Sequence, residues 1–219
     1  MPEQLSGVRQ FALADVPPET WRNGGGFTRT LAVSTSATGG AMAAGAVGAD
    51  AAAEPWRWRV SVATIERDGA FSRFPGVDRT TLLIAGDALA LEDTQGALVL
   101  HLGLNQMGTY PGEADLYARV TGAPLQCLNV MTVRGQCQAR VSVVSESISP
   151  AGECLLLVLR GGFSYTTTYQ PYMKNMPEAQ VLIAQADINL IANPIEMDSL
   201  LAVIEILPDA VWAPQVFPS

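Results

Sequence analysis

From Trp56 to Leu207 the chain is a succession of short stretches that either alternate apolar with polar residues or run apolar throughout. They are WRWRVSVATI (56–65), TTLLIAG (80–86), ALVLHL (97–102), DLYARVTG (115–122) and LQCLNVMTVRG (125–135). QARVSVVSES (138–147), ECLLLVLRGG (153–162), AQVLIAQAD (179–187) and LLAVIEIL (200–207) continue the series. Turn chemistry separates them: Asp68-Gly69, Pro75-Gly76, Gly86-Asp87, Pro111-Gly112, Gly161-Gly162 and Asn193-Pro194. Short strands at regular spacing, without a long stretch of helical period, predict an all-β sandwich or barrel. Pro17 to Trp21 leaves room for a short helical turn. Residues 36–53, SATGGAMAAGAVGADAAA, carry one charge and no large side chain except Met42, and are expected as a flexible loop inserted between two strands.

Composition narrows the function classes. Thirteen basic against 21 acidic residues give a net charge of −8, which argues against nucleic acid as a partner. Lysine is almost absent, so an anion site would be built from arginine, the side chain that reads carboxylates bidentately. The start, MPEQLSGVRQFALADVPPETW, lacks the pattern of a signal peptide, and no apolar run is long enough for a membrane helix. Cys127, Cys137 and Cys154, an odd number in apolar surroundings, are expected to be reduced, buried and structural, which fits a cytoplasmic protein.

Candidate chemistry is sparse. A single histidine, His101, cannot supply a histidine-based metal site, and no cysteine pair has metal-ligand spacing, so neither metal nor cofactor is expected. No nucleophile elbow occurs, and no catalytic residue is assigned. Three polar-aromatic clusters remain. In WRNGGGFTR (21–29) the three glycines form either a loop whose N–H groups face an anion or a plain turn. In WRWRVSVA, alternation puts Trp56, Trp58, Val60 and Val62 on one face and Arg57, Arg59, Ser61 and Ala63 on the other. The second face is either solvated or turned into a barrel lumen. DGAFSRFPGVDR (68–79) is either an aromatic clamp or a packed corner, and Asn129 interrupts an apolar strand, where it must find hydrogen-bond partners.

Taken in order, WRNGGGFTR, then WRVSVATIERDGAFSRFPGVDRT, then LNVMTVRG resemble the HutD/Ves family. That family's pattern runs W-K-N-G-G-G-x-T-R-E, then W-R-x-S-x-A with G-P-F-S-x-F-P-G-x-D-R, then a late N-x-M followed by arginine. The resemblance implies a bicupin, two small jelly-roll β-barrels in one chain. They are expected at 1–135, carrying the motifs and the 36–53 insertion, and at 136–219. It also implies a role in histidine utilisation, limiting or tuning flux by binding an intermediate such as urocanate or N-formimino-glutamate. Carried over position by position, it suggests Asn23, Arg29, Arg59, Ser61, Phe71, Ser72, Phe74, Arg79 and Asn129 as ligand-binding residues. Trp21, Gly24, Gly25, Gly26, Trp58, Pro75, Gly76, Asp78, Met131 and Arg134 form the structural part of the motif, and Thr28 belongs to it as well. Three departures stand out: Arg22 for lysine, Ala70 for proline, and Thr30 where an acidic residue is common, which removes a possible partner for an arginine.

The leading expectation is therefore a metal-free protein that binds a small carboxylate ligand and regulates histidine utilisation. A protein-interaction module of the same pathway and a metal-independent enzyme acting on such an intermediate are the alternatives. Exposed strand edges leave room for a homodimer.

Overall fold

The computed structural model describes residues 7–35, 42–43, 56–122 and 124–208. Strands are numbered along the chain. The first twelve are β1 (Val8–Ala12), β2 (Glu19–Thr20), β3 (Gly26–Thr35), β4 (Met42–Ala43), β5 (Trp56–Ile65), β6 (Gly69–Ala70), β7 (Val77–Ala85), β8 (Ala88–Glu92), β9 (Leu98–Gly103), β10 (Met107–Pro111), β11 (Tyr117–Thr121) and β12 (Leu125–Val133). The remaining seven are β13 (Cys137–Val144), β14 (Glu153–Arg160), β15 (Gly162–Thr167), β16 (Gln170–Pro177), β17 (Gln180–Ala184), β18 (Leu190–Pro194) and β19 (Leu200–Pro208). The all-β expectation holds. Of the 36–53 segment only β4 is described, paired with β3 at Val33 and Ser34; the rest of that expected loop lies outside the described residues.

The strands form four antiparallel sheets that pack as two facing pairs. A seven-stranded sheet, ordered β10-β7-β12-β5-β3-β2 with β4 beside β3, faces a four-stranded sheet, β6-β11-β8-β9. Between them lie Ile65, Leu83, Leu125 and Cys127 from one side and Leu89, Leu91, Leu102 and Ala118 from the other. A five-stranded sheet, β1-β17-β14-β19-β13, likewise faces a three-stranded sheet, β16-β15-β18, across Leu156, Phe163, Met176, Leu182 and Val203. The two large sheets then pack back to back through Trp58, Val60, Val62, Leu128 and Val130 against Leu155, Leu157, Val181, Ile183 and Ile204. None of the four sheets closes on itself as a barrel would.

Two expectations change. β1 pairs with β17, so the N-terminal strand lies in the sheet of the second half and crosses the division placed at residue 135. The helical turn sits at Leu13–Asp15, ahead of Pro17 to Trp21. Val16, which precedes a proline, is held extended at φ −80 and ψ 120, and Glu19–Thr20 are taken up by pairing with β3. No helix among the described residues is long and apolar enough to cross a membrane.

This packing explains the texture of β5 and β12. Both are covered on both faces, so nearly every residue in them is buried. Alternation sends Trp58, Val60 and Val62 to the back-to-back core, and it turns Arg59, Ser61 and Ala63 towards the four-stranded sheet.

Candidate functional site

On that inner face, register lines up two rows of side chains. One row runs Thr30, Ser61, Asn129, Thr81 across β3, β5, β12 and β7. The next runs Arg59, Met131, Arg79, Tyr110 across β5, β12, β7 and β10. Two strand spacings therefore separate Arg59 from Arg79, about 10 Å between Cα atoms. Both arginines are deeply buried, at 8% and 6% exposure. Arg59 Nη2 donates to Thr30 Oγ1 at 2.8 Å. Thr81 Oγ1 lies 2.9 Å from the Tyr110 hydroxyl and donates to Asn129 Oδ1 at 2.8 Å, while Asn129 Nδ2 donates to the Cys127 carbonyl at 3.2 Å. Ser61 is buried in the same row.

Arg79 is held from above by aromatic rings. Its guanidinium carbon lies 5.3 Å from the ring centres of Phe71, Phe74 and Tyr110, and Nη1 donates to the Ser72 carbonyl at 3.0 Å. Cation–π attraction offsets part of the cost of desolvating the charge, but no carboxylate among the described residues takes part. Burial pushes the guanidinium below its ordinary pKa, and the nearby Tyr110 and Cys127 work the other way. Arg79 Nε is buried without a hydrogen-bond partner among the described residues. The Cys127 thiol is pushed up to about 12 by burial, so it stays neutral and serves as wall rather than nucleophile.

The segment that carries the two phenylalanines is tied down at both ends. Phe71 N–H donates to the Leu116 carbonyl and Phe74 N–H to the Gly112 carbonyl, both at 2.8 Å. Gly112 is required there, because a Cβ would lie 2.5 Å from the Phe74 oxygen. Arg134 clamps the base, reaching Asp78 at 2.6 Å and both Glu113 oxygens at 2.7 and 2.8 Å. Asp78 and Arg134 thus brace the base of this segment. Pro75 and Gly76 form the turn they brace, with Arg134 N–H donating to the Gly76 carbonyl.

Of the nine expected ligand-binding residues, the structure gathers Arg59, Ser61, Phe71, Phe74, Arg79 and Asn129 on one face, and Ser72 joins through its carbonyl. Arg29 and Asn23 do not join them. Arg29 pairs with Val62 and so occupies the opposite face of the sheet, stacked 5.1 Å from the Phe27 ring. Asn23 is exposed, and its Oδ1 accepts the Gly25 N–H at 2.9 Å. With Gly24 N–H donating to the Trp21 carbonyl, the loop is a turn whose Gly24 and Gly25 N–H groups are taken up within it. Gly24 has φ +64, and a Cβ on Gly26 would lie 2.0 Å from the Thr64 oxygen, which accounts for two of the glycines. Trp21 Nε1 donates to Thr28 Oγ1 at 2.8 Å and closes the corner. Tyr110, Thr81 and the hydroxyl role of Thr30 were not anticipated. Only the cross-strand register makes them neighbours of the arginines.

Among the described residues no three His, Cys, Asp or Glu side chains come together as a metal site, and His101 is exposed on β9. Cys127, Cys137 and Cys154 are buried and form no disulfide.

Comparison with known proteins agrees with the motifs. The HutD family model matches residues 13–200. Protein Ves of Citrobacter koseri is 31% identical over 146 residues, covering 66% of this chain and 68% of that protein. Among solved structures, a conserved protein of unknown function from Pseudomonas aeruginosa PAO1 superposes with a TM-score of 0.75 at 21% identity, over 92% of this chain and 99% of that one. HutD from Pseudomonas fluorescens SBW25 superposes with a TM-score of 0.69 at 18% identity, over 93% and 100%. The four-sheet architecture is cupin-like, and the chain belongs to the HutD family.

Proposed function

We propose that this chain is a bicupin protein that binds a small carboxylate, of the urocanate or N-formimino-glutamate type, and through it regulates histidine utilisation. The first cupin unit comprises β2 to β12, and the second β1 with β13 to β19. Membership of the HutD family supports the pathway. The single observation that carries ligand binding is Arg79: a 6% exposed cation that, among the described residues, is faced by three aromatic rings and no carboxylate and has its Nε unpartnered. A buried charge without an opposite partner is costly to a fold, and an anionic ligand is the partner that would offset it. Ser61 and Asn129 then orient the ligand's polar end, and Phe71 and Phe74 wall it off from water.

The test is thermal unfolding with urocanate, N-formimino-glutamate, N-formyl-glutamate, histidine and glutamate, each with and without a chelator. Ligand at a hundred times its Kd adds about 2.7 kcal/mol, which for a chain of this size raises Tm by about 5 to 11 °C. The expected result is a selective rise that the chelator leaves intact. A flat response to all five sinks the reading and directs attention to a protein partner.

A further inference from the structure

We propose that Tyr110 and Thr81 are positioning residues that lock Asn129 as a hydrogen-bond donor beside Arg79, so that this face recognises a group carrying acceptor atoms only, such as a carboxylate. The inference rests on the reading of the face as an anion site. It starts from the Cys127 carbonyl, which can only accept. The Asn129 atom 3.2 Å from it must therefore be the amide nitrogen, because a flipped amide would set two oxygens against each other in a buried place. The other end of the amide is then Oδ1, and Thr81 must spend its one proton on it at 2.8 Å. With that proton committed, the contact between Thr81 Oγ1 and the Tyr110 hydroxyl, 2.9 Å long, can only be donated by Tyr110. Burial raises the Tyr110 pKa, which keeps the phenol protonated for this purpose.

The three side chains therefore form a one-way chain, from the Tyr110 hydroxyl to the Thr81 hydroxyl to the Asn129 carbonyl. An amide nitrogen carries two protons, and the Cys127 carbonyl takes one, leaving the second N–H without a partner among the described residues. All three are nearly sealed from water, so the chain holds without solvent competition. Asn129 stands diagonally across from Arg79 on the adjacent strand, two residues from Met131, the residue directly opposite Arg79. Tyr110 links the two donors, since its ring faces the Arg79 guanidinium while its hydroxyl starts the chain that orients Asn129. Both groups then present N–H, and neither presents an acceptor.

The experiment compares the full chain with Tyr110→Phe, which keeps the ring and removes the hydroxyl, with Thr81→Val, which keeps the shape, and with Thr81→Ser, which restores the hydroxyl. Two quantities are read: the side-chain amide ¹H–¹⁵N pair of Asn129, assigned by its loss in Asn129→Asp, and affinity for acetate at constant ionic strength. Tyr110→Phe and Thr81→Val are expected to move the amide pair and to weaken acetate by about three- to tenfold, the worth of one hydrogen bond. Thr81→Ser is expected to return both to wild type. An amide pair that stays in place in both Tyr110→Phe and Thr81→Val overturns the proposal, as does a Thr81→Ser variant no better than Thr81→Val. An amide pair that responds as expected in a wild-type protein indifferent to acetate upholds the chain and counts against anion binding instead.

Discussion

The two halves of this molecule solve the same packing problem with opposite contents. Each places a large sheet against a small one, yet the space between β14, β17, β19 and β15, β16, β18 is filled chiefly by Cys154, Leu156, Val158, Phe163, Tyr165, Met176, Leu182 and Leu201. The buried charge on that face, Glu205 opposite Cys154, is neutralised by Arg140 at 2.6 and 2.8 Å. The Tyr165 hydroxyl points out to Gln10 at 3.0 Å. In the other half the equivalent face carries Arg59, Arg79, Ser61, Thr81 and Asn129. β14 reads ECLLLVLR where β5 reads WRWRVSVATI, so apolar side chains fill the inner positions of one and Arg59 and Ser61 those of the other. A filled interior contributes stability and leaves nothing for a ligand to do. A polar interior costs stability, which the proposed ligand would offset. The proposed binding reading therefore concerns the first half.

The strongest way to break that contrast is to hollow out the second half. Phe163 is fully buried, at 0% exposure, and Phe163→Ala is expected to cost about 3 to 5 kcal/mol of stability. Urea unfolding measures the loss, and at low temperature the surviving folded protein should bind its ligand as wild type does. A cost under about 1 kcal/mol would mean that the second interior is not close-packed, and the contrast would fail.

Arg79→Leu probes the other side. It removes a buried cation that no carboxylate among the described residues meets and leaves an apolar side chain among Phe71, Phe74 and Tyr110. Affinity for the carboxylate ligand should fall by about 2 to 5 kcal/mol, read by calorimetric titration. Stability in the absence of ligand should hold or rise, since replacing buried charge by apolar volume is often neutral or stabilising by about 1 to 4 kcal/mol. A protein that loses stability together with binding would show Arg79 to be part of the core.

How far the sequence foretold this contrast depends on what kind of signal each residue carries. Strands β5, β12, β14 and β19 were legible because burial on both faces writes long apolar runs. β15, β16 and β18 were not: a register shift between Tyr165 and Thr167 breaks the period of the β15–β16 hairpin, and QPYMKNMP has no clean alternation. Parity put Arg59 and Ser61 on one face, but only the partner sheet decides whether that face is wet. Arg29 entered the set through the family resemblance, although parity with Val62 sends it to the other side. Thr30 was noticed as the loss of an acid, and the structure shows what stands there instead, a hydroxyl that accepts from Arg59. Thr81 and Tyr110 left no mark, because their role arises only when β7, β10 and β12 lie side by side.

The smallest expected effect concerns the clamp under the phenylalanine segment, a feature of the first half. The Arg134 guanidinium beside it is the main reason the Glu113 carboxyl is held down to about 2 from the ordinary 4.5. A depressed carboxylate contributes stability that is fully present above its unfolded pKa and is lost as pH falls through the folded one. The window is therefore from about 4.5 down to about 2. Glu113→Gln keeps the shape and removes the titration, so its urea midpoint should fall less than that of wild type between pH 5 and pH 2.5, on the order of a few tenths of a molar at most for a solvent-exposed pair. Added salt should narrow the difference, because exposed ion pairs are screened. Identical slopes for the two proteins would mean that the clamp only marks where the segment lies, and that Phe71 and Phe74 are held over Arg79 by their backbone ties to Leu116 and Gly112 alone.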